Sequence, residues 1–214
     1  MRAKKGQKMA FLELKYFSKS LGKATAANII LPENHLDKPL STFYLLHGLS
    51  DDHSVWQRRT SIERYVTDLP MMVVMPDSGR GFYCDAEAGM RWESAIIKDL
   101  LPYVDSVFRT QATRESRCVA GLSMGGYGAI KFGLKYPEIF CSAVSHSGAL
   151  SFGHYPITLK PEDSFATEFA RVVGENPQGS DNDCFALAEK NGKRETHRHS
   201  DRLWNRRFFD RIKS

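Results

Sequence analysis

The stretch VAGLSMGGYG, Val119 to Gly128, places one serine between glycines at the end of a short apolar run. Its segment Gly121–Gly125 fits the pattern G-x-S-x-G, which chance produces about 0.07 times in a chain of this length. When a strand precedes this motif and a helix follows it, the serine sits on a sharp turn that exposes its hydroxyl. We therefore predict that Ser123 is a nucleophile at a helix N-terminus, where the peptide dipoles favour negative charge. A glycine-rich strand–helix turn with a capping serine is the alternative.

Four apolar runs around this motif each end in a turn that carries glycine or aspartate. Because they are continuous rather than alternating, they indicate strands buried on both faces, as in a parallel sheet. Helical patterns occupy residues 92–108 and 124–136, so the chain is predicted to have an α/β fold with right-handed crossovers. Residues 151–183 break the alternation and are expected to cross the C-terminal edge of the sheet, where ligands bind. The four runs are Phe43–Gly48, Met71–Asp77, Arg117–Ser123 and Cys141–Gly148.

Length and composition predict a soluble globular protein. The 214 residues fit one domain with a single core, and 42% are hydrophobic while 26% are charged. No apolar run reaches 18 residues, so we expect no membrane partner. The start of the chain has no apolar stretch of signal-peptide length. Four scattered cysteines without a C-x-x-C motif are typical of a reducing compartment, which predicts a cytoplasmic location.

The net charge of +5 is unevenly distributed along the chain. Residues 190–214 contain nine basic and three acidic side chains, whereas residues 9–189 contain seventeen basic and twenty-two acidic ones. A basic tail can bind nucleic acid. This tail lacks the interleaved basic and aromatic residues on a defined fold that such binding uses, so we expect no nucleic-acid partner.

A nucleophilic serine of this kind needs two backbone N–H groups that hold the oxyanion of the reaction intermediate. The elbow supplies the N–H of Met124. The second N–H is expected from the loop after an earlier strand, where a bend at His47-Gly48 would allow the N–H of Leu49 to point inward. We interpret His47 as a support of this loop rather than as a catalytic base.

Five segments, taken in order, resemble the esterase D family of α/β-hydrolases, which includes S-formylglutathione hydrolases, tributyrin-type carboxylesterases and mycolyltransferases. The resemblance covers Ala10 to Glu189 and is specific because all five segments match in sequence order. The segments are YLLHGLSDDHSVW, VVMPDSGRGFYCD, RWESAIIKDLLPYVD, VAGLSMGGYGAIKFGLKYPEIF and SAVSHSGAL.

The resemblance implies an α/β-hydrolase fold, with a mostly parallel sheet and helices on both faces. It implies a serine carboxylesterase or thioesterase that acts on a small acyl ester or thioester without metal or cofactor; an acyltransferase on the same scaffold is an alternative. Ser123 would be the nucleophile, and the N–H groups of Leu49 and Met124 would hold the oxyanion. The acyl pocket is expected near Tyr83, Trp92 and Ser147, although core packing is the alternative for the two aromatic residues.

The base that should activate Ser123 is missing from the sequence pattern. In this fold the triad acid and histidine follow the nucleophile on loops after two further strands, yet no strand-like run follows Leu150. None of the later histidines resembles the base segment of the family, and a local pair of His199 with Asp201 is the alternative. We therefore expect missing C-terminal strands, and a catalytically crippled remnant is the alternative function. The later histidines are His146, His154, His197 and His199.

Residues 190–214, the basic tail, allow two interpretations. Trp204, Phe208 and Ile212 recur every four residues, as in a basic amphipathic helix. Alternatively, codons for Asp201–Lys213 read one base later permit a strand, a Cys-Gly turn and an aspartate, which resembles the segment with the triad aspartate. We therefore predict a frameshift between Glu189 and His199. This divides the chain into an N-terminal extension (residues 1–8), an incomplete α/β-hydrolase domain (9–189) and an out-of-frame basic tail (190–214).

Overall fold

Six strands form one mixed sheet in the order β1-β2-β4-β3-β5-β6. The computed structural model describes residues 9–35, 37–159 and 162–196. Strands β3 to β6 run parallel to one another, while β1 and β2 form an antiparallel hairpin whose second strand pairs antiparallel with β4. The strands are β1 (Met9–Ser18), β2 (Lys23–Pro32), β3 (Ser41–Leu46), β4 (Met71–Pro76), β5 (Arg117–Leu122) and β6 (Ser142–His146).

The four parallel strands are the four apolar runs that the sequence predicts. Strands β3 and β4 are buried on both faces because helices cover the two sides of the sheet there. One face packs on the larger core, which includes Tyr44, Leu46 and Val119. The other packs on a smaller cluster that includes Leu45 and Val73. The predicted α/β fold, with a mostly parallel sheet and helices on both faces, is confirmed.

Seven α-helices are described, and three of them bear on the site. The predicted helix over residues 92–108 is interrupted, because the Leu101 N–H donates to the Ile96 carbonyl in a π-helical segment, Ala95–Leu100. Pro102 follows at the start of the next helix and has no N–H of its own. The helices are α1 (Val55–Arg59), α2 (Ile62–Val66), α3 (Trp92–Ser94), α4 (Leu101–Val107), α5 (Met124–Lys135), α6 (Ser164–Val173) and α7 (Cys184–Thr196).

The excursion of residues 151–183 lies against the loops that follow the parallel strands. The Val172 carbonyl at the end of α6 accepts a hydrogen bond from Glu87 N–H, in the loop after β4. Phe152 stacks on Phe82 of the same loop with ring centroids 3.6 Å apart. The excursion therefore lies at the predicted edge of the sheet.

Strand β6 forms one edge of the sheet within the described part of the chain, since it pairs only with β5 there. Val144 at its centre is 53% exposed, and Leu122 beside it is 38% exposed. None of the described helices is long and apolar enough to span a bilayer.

Candidate active site

Ser123 occupies a strained turn between β5, which ends at Leu122, and α5, which begins at Met124. Its backbone has φ 55° and ψ −114°, a conformation that residues other than glycine rarely adopt. Such backbone strain typically costs about 1–3 kcal/mol and is found at functional sites. The Ser123 N–H donates to the His146 carbonyl at 2.9 Å, and the Ser123 carbonyl accepts from Ala149 N–H at 3.2 Å. The turn after β6 therefore fixes the elbow from both sides.

The two motif glycines allow the crossing of strand and helix. A Cβ added at Gly121 would lie 2.3 Å from the Gly125 backbone, and one added at Gly125 would lie 2.3 Å from the Leu46 carbonyl oxygen. Both contacts are with backbone atoms, which cannot move aside. The G-x-S-x-G pattern is therefore required by close approach of α5 to β5 and to the end of β3.

The loop after β3 lies beside Ser123. A Cβ built on Gly48 would be 3.9 Å from the Ser123 Cβ, so Leu49 directly follows a residue that lies next to the elbow. Met124 is the first helical residue of α5, where N–H groups have no partner within the helix. The structure thus brings together the segments that carry both predicted oxyanion donors.

His47 is a structural part of this loop. It is fully buried, its Nε2 accepts from the Ser78 N–H at 3.1 Å, and its Nδ1–H donates to the Gly48 carbonyl at 2.7 Å. The Gly48 carbonyl and the Leu49 N–H belong to one planar trans peptide, in which the two groups point in opposite directions. The imidazole therefore sets the direction of the Leu49 N–H, which agrees with its predicted role as a support.

The three expected pocket residues occupy different positions. Tyr83 is fully buried, with its hydroxyl donating to the His47 carbonyl at 2.9 Å. Trp92 is 8% exposed and packs its ring against the backbone of Gly79 and Gly81. Both aromatic residues therefore lie beneath the loops that border the site. Ser147 is exposed and has a left-handed φ of 46°, directly after the residue whose carbonyl binds the Ser123 N–H.

The hydroxyl of Ser123 has no hydrogen-bonded histidine among the residues that the structure describes. His154 instead pairs through Nδ1 with both carboxylate oxygens of Asp183, at 3.0 and 2.9 Å. Burial would raise the pKa of the Asp183 carboxyl, but hydrogen bonds from the Gly179 N–H and from His154 hold it below its usual value. Asp183 accepts from three backbone N–H groups around the start of α7, so this pair is part of a helix cap. His197 and His199 lie outside the described residues.

Sequence reasoning missed a buried ion pair beneath the loops of the site. Lys131 and Glu93 form an ion pair of 2.7 Å, and the lysine is fully buried beneath Tyr83. The available signal was a lysine between the apolar residues Ile130 and Phe132 on a helix face that must be buried. In the described part of the chain, no three His, Cys, Asp or Glu side chains cluster as a metal site would require.

The family comparison covers most of the chain. A family model described as "Putative esterase" matches residues 18–206. An acetyl esterase from Caldicellulosiruptor saccharolyticus is 32% identical over 199 residues, which are 85% of this chain and 74% of that protein. An esterase from Mycobacterium tuberculosis is 35% identical over 148 residues, which are 64% of this chain. The match spans about a third of the Mycobacterium protein, 32% of its length.

Solved structures show the same relationship. The fluorophosphonate-binding serine hydrolase F of Staphylococcus aureus superposes with a TM-score of 0.77 at 30% identity, covering 87% of this chain and 75% of that one. An S-formylglutathione hydrolase from Staphylococcus aureus gives a TM-score of 0.74 at 32% identity, covering 88% and 76%. The chain therefore belongs to the family that the model describes, the putative esterases, and has the α/β-hydrolase fold of its serine hydrolase neighbours.

Proposed function

We propose that the chain is built as a serine carboxylesterase or thioesterase for short-chain acyl groups. The observation that carries this proposal is the left-handed elbow at Ser123, at the start of α5 and next to the loop after β3. Names of relatives support the class of substrate, since one is an acetyl esterase and one neighbour is an S-formylglutathione hydrolase. Four free cysteines support a reducing compartment such as the cytoplasm.

The proposed reaction has two halves. The Oγ of Ser123 attacks the acyl carbonyl as its proton passes to a histidine base, and the alcohol or thiol leaves with a proton. The N–H groups of Leu49 and Met124 hold the oxyanion in both halves. Water then attacks the acyl-serine, which releases the acid and restores the hydroxyl. The histidine is assigned to no described residue, so the proposal rests on the nucleophile and the oxyanion donors.

Hydrolysis of short-chain p-nitrophenyl esters tests this function. We expect Ser123→Ala to remove the hydrolysis that the wild-type chain catalyses, because no other described serine lies on such an elbow. Folding of the variant is checked by its circular dichroism and melting temperature, which the loss of one half-buried hydroxyl should leave nearly unchanged. A Ser123→Ala protein that kept full activity would show that another residue is the nucleophile.

A further inference from the structure

Tyr83 connects the core of the protein to the loop that carries Leu49. Its hydroxyl donates to the His47 carbonyl at 2.9 Å, and both residues are fully buried. Burial raises the pKa of this hydroxyl well above its usual value, which keeps it protonated and able to donate at neutral pH. The accepting carbonyl belongs to the peptide that precedes Gly48, where an added Cβ would lie 3.9 Å from the Ser123 Cβ.

Helix α5 holds Tyr83 in an unusual conformation. Tyr83 has a left-handed φ of 56°, which its side chain disfavours. The Nζ of Lys131 donates to the Tyr83 carbonyl at 2.7 Å. Gly128, one turn earlier, lies under the ring, since an added Cβ there would be 2.5 Å from the ring carbon Cδ2. The carbonyl and the ring of Tyr83 are therefore both fixed by the helix that begins at the nucleophile.

The lysine that holds Tyr83 is itself immobilised by charge. Its buried Nζ lies 2.7 Å from the Glu93 carboxylate, which also contacts Lys135 at 2.7 Å and the Tyr136 hydroxyl. Burial would raise the pKa of Glu93, but the two lysines and Tyr136 outweigh it and lower the pKa to about 2. A buried ion pair is weak evidence for stability, because an apolar pair of similar volume often serves as well. Here the pair fixes the position of the Tyr83 backbone, because the Lys131 ammonium group donates to the Tyr83 carbonyl and an apolar side chain would not.

We propose that Tyr83 is a positioning residue for the oxyanion hole, held by the Lys131–Glu93 pair and acting through the His47 carbonyl. This rests on the proposed esterase function. The His47 ring fixes the peptide that carries the Leu49 N–H, and the Tyr83 hydroxyl fixes the peptide before it. Removing the Tyr83 hydroxyl frees the His47–Gly48 peptide to rotate. This rotation misdirects the Leu49 N–H without altering Ser123 or the surface that binds substrate.

Paired Tyr→Phe variants test the proposal. Tyr83→Phe removes the hydrogen bond to His47, whereas Tyr127→Phe removes the hydrogen bond of another fully buried tyrosine, from α5 to the Asn182 carbonyl at 2.6 Å. We expect Tyr83→Phe to lower kcat for a p-nitrophenyl ester about tenfold or more, with KM within about twofold. Tyr127→Phe should change neither constant, although both variants lose the hydroxyl hydrogen bond of a fully buried tyrosine.

Hydrogen exchange gives a readout that does not depend on turnover. The Asp51 N–H is bonded to the Gly48 carbonyl at 3.2 Å, so its exchange reports the order of the loop. We expect faster exchange in a peptide covering residues 47–51 in Tyr83→Phe and wild-type exchange there in Tyr127→Phe. Wild-type exchange in Tyr83→Phe, or equal acceleration in both variants, overturns the positioning role. Loop exchange that responds as expected in a chain whose Ser123→Ala variant loses no hydrolysis would instead overturn the esterase proposal alone.

Discussion

Four residues other than glycine have left-handed backbones in the described structure, and all four border the candidate site. They are Phe82, Tyr83, Ser123 and Ser147. The cost of each is about 1–3 kcal/mol, so surrounding contacts must hold them. Only the elbow at Ser123 can be predicted from sequence, because its motif combines the serine with flanking glycines. The other three carry no local signal, since their conformations depend on partners distant in sequence, such as Lys131 on the Tyr83 carbonyl.

The Lys131–Glu93 pair makes the free energy of unfolding depend on pH in the acidic range. The Glu93 pKa of about 2 lies below the ordinary value of 4.5, so its stabilisation is fully present above about pH 4.5 and is lost as pH falls towards 2. That shift corresponds to about 3 kcal/mol. We expect Glu93→Gln to be less stable than the wild type by a few kcal/mol at pH 7, and the gap to shrink steadily below pH 4.5. Urea unfolding at pH 7, 4 and 3 measures it.

The exposed Glu115, whose side chain is 73% accessible, provides the control. Glu115→Gln should differ little from the wild type at any of these pH values, because surface ion pairs contribute little. A Glu93→Gln gap that stays constant between pH 7 and pH 3 would contradict the assignment of a charged, buried glutamate.

Helix α5 depends on tertiary packing rather than on its own propensity. Glycine is an unfavourable residue in a helix interior, by about 1 kcal/mol relative to alanine, yet this helix has four glycines within Met124–Lys135. Two of them permit close contacts on opposite sides of the elbow: Gly125 with the end of β3, and Gly126 with Gly148 of the turn after β6. The helix that positions Ser123 is therefore stabilised by its packing against the sheet and the loops that follow the strands.

A pair of Gly→Ala variants separates packing from propensity. Gly125→Ala should destabilise the protein by about 1–3 kcal/mol, because the added methyl group meets the Leu46 and His47 carbonyls. Gly192→Ala in α7 should stabilise it by about 0.5–1 kcal/mol, since no atom lies within 4 Å of the added Cβ. Thermal or urea unfolding measures both. A Gly125→Ala protein as stable as the wild type would show that α5 does not approach β3 as closely as described.

Among the elements, the parallel strands could be predicted and the first hairpin was missed. Strands β3 and β4 are continuous apolar runs because both of their faces are covered, whereas Leu122 of β5 and Val144 of β6 remain exposed. Strand β1 instead alternates, with Phe11, Glu13 and Lys15 exposed and Leu12 and Leu14 facing inward. That alternation is itself a strand signal. The π-helical turn at Ala95–Leu100 has no comparable signal, because its apolar spacing fits an ordinary helix equally well.

At the scale of the whole molecule, the order of motifs was sufficient for the fold, while the details of the site came from long-range contacts. The strand–helix turn at Ser123 follows from its local glycines, while the roles of Ser123 and of the Leu49 N–H stay predictions. The sequence identified neither the Phe82–Phe152 stack nor the Lys131–Glu93 pair, whose partners are distant along the chain. Residues 1–8 and 197–214 lie outside the described residues, so the N-terminal extension, the frameshift and the amphipathic tail helix stay predictions.

The central claim, that Ser123 is the nucleophile of a serine hydrolase, is tested most directly by mapping a covalent adduct. The protein is incubated with a fluorophosphonate probe, digested and analysed by tandem mass spectrometry, with Ser123→Ala treated in parallel. We predict one probe per chain on Ser123 in the wild type and none in the variant, because the elbow and the oxyanion donors favour attack by this hydroxyl alone. An adduct on another serine, or no adduct on the folded wild-type protein, would contradict the account.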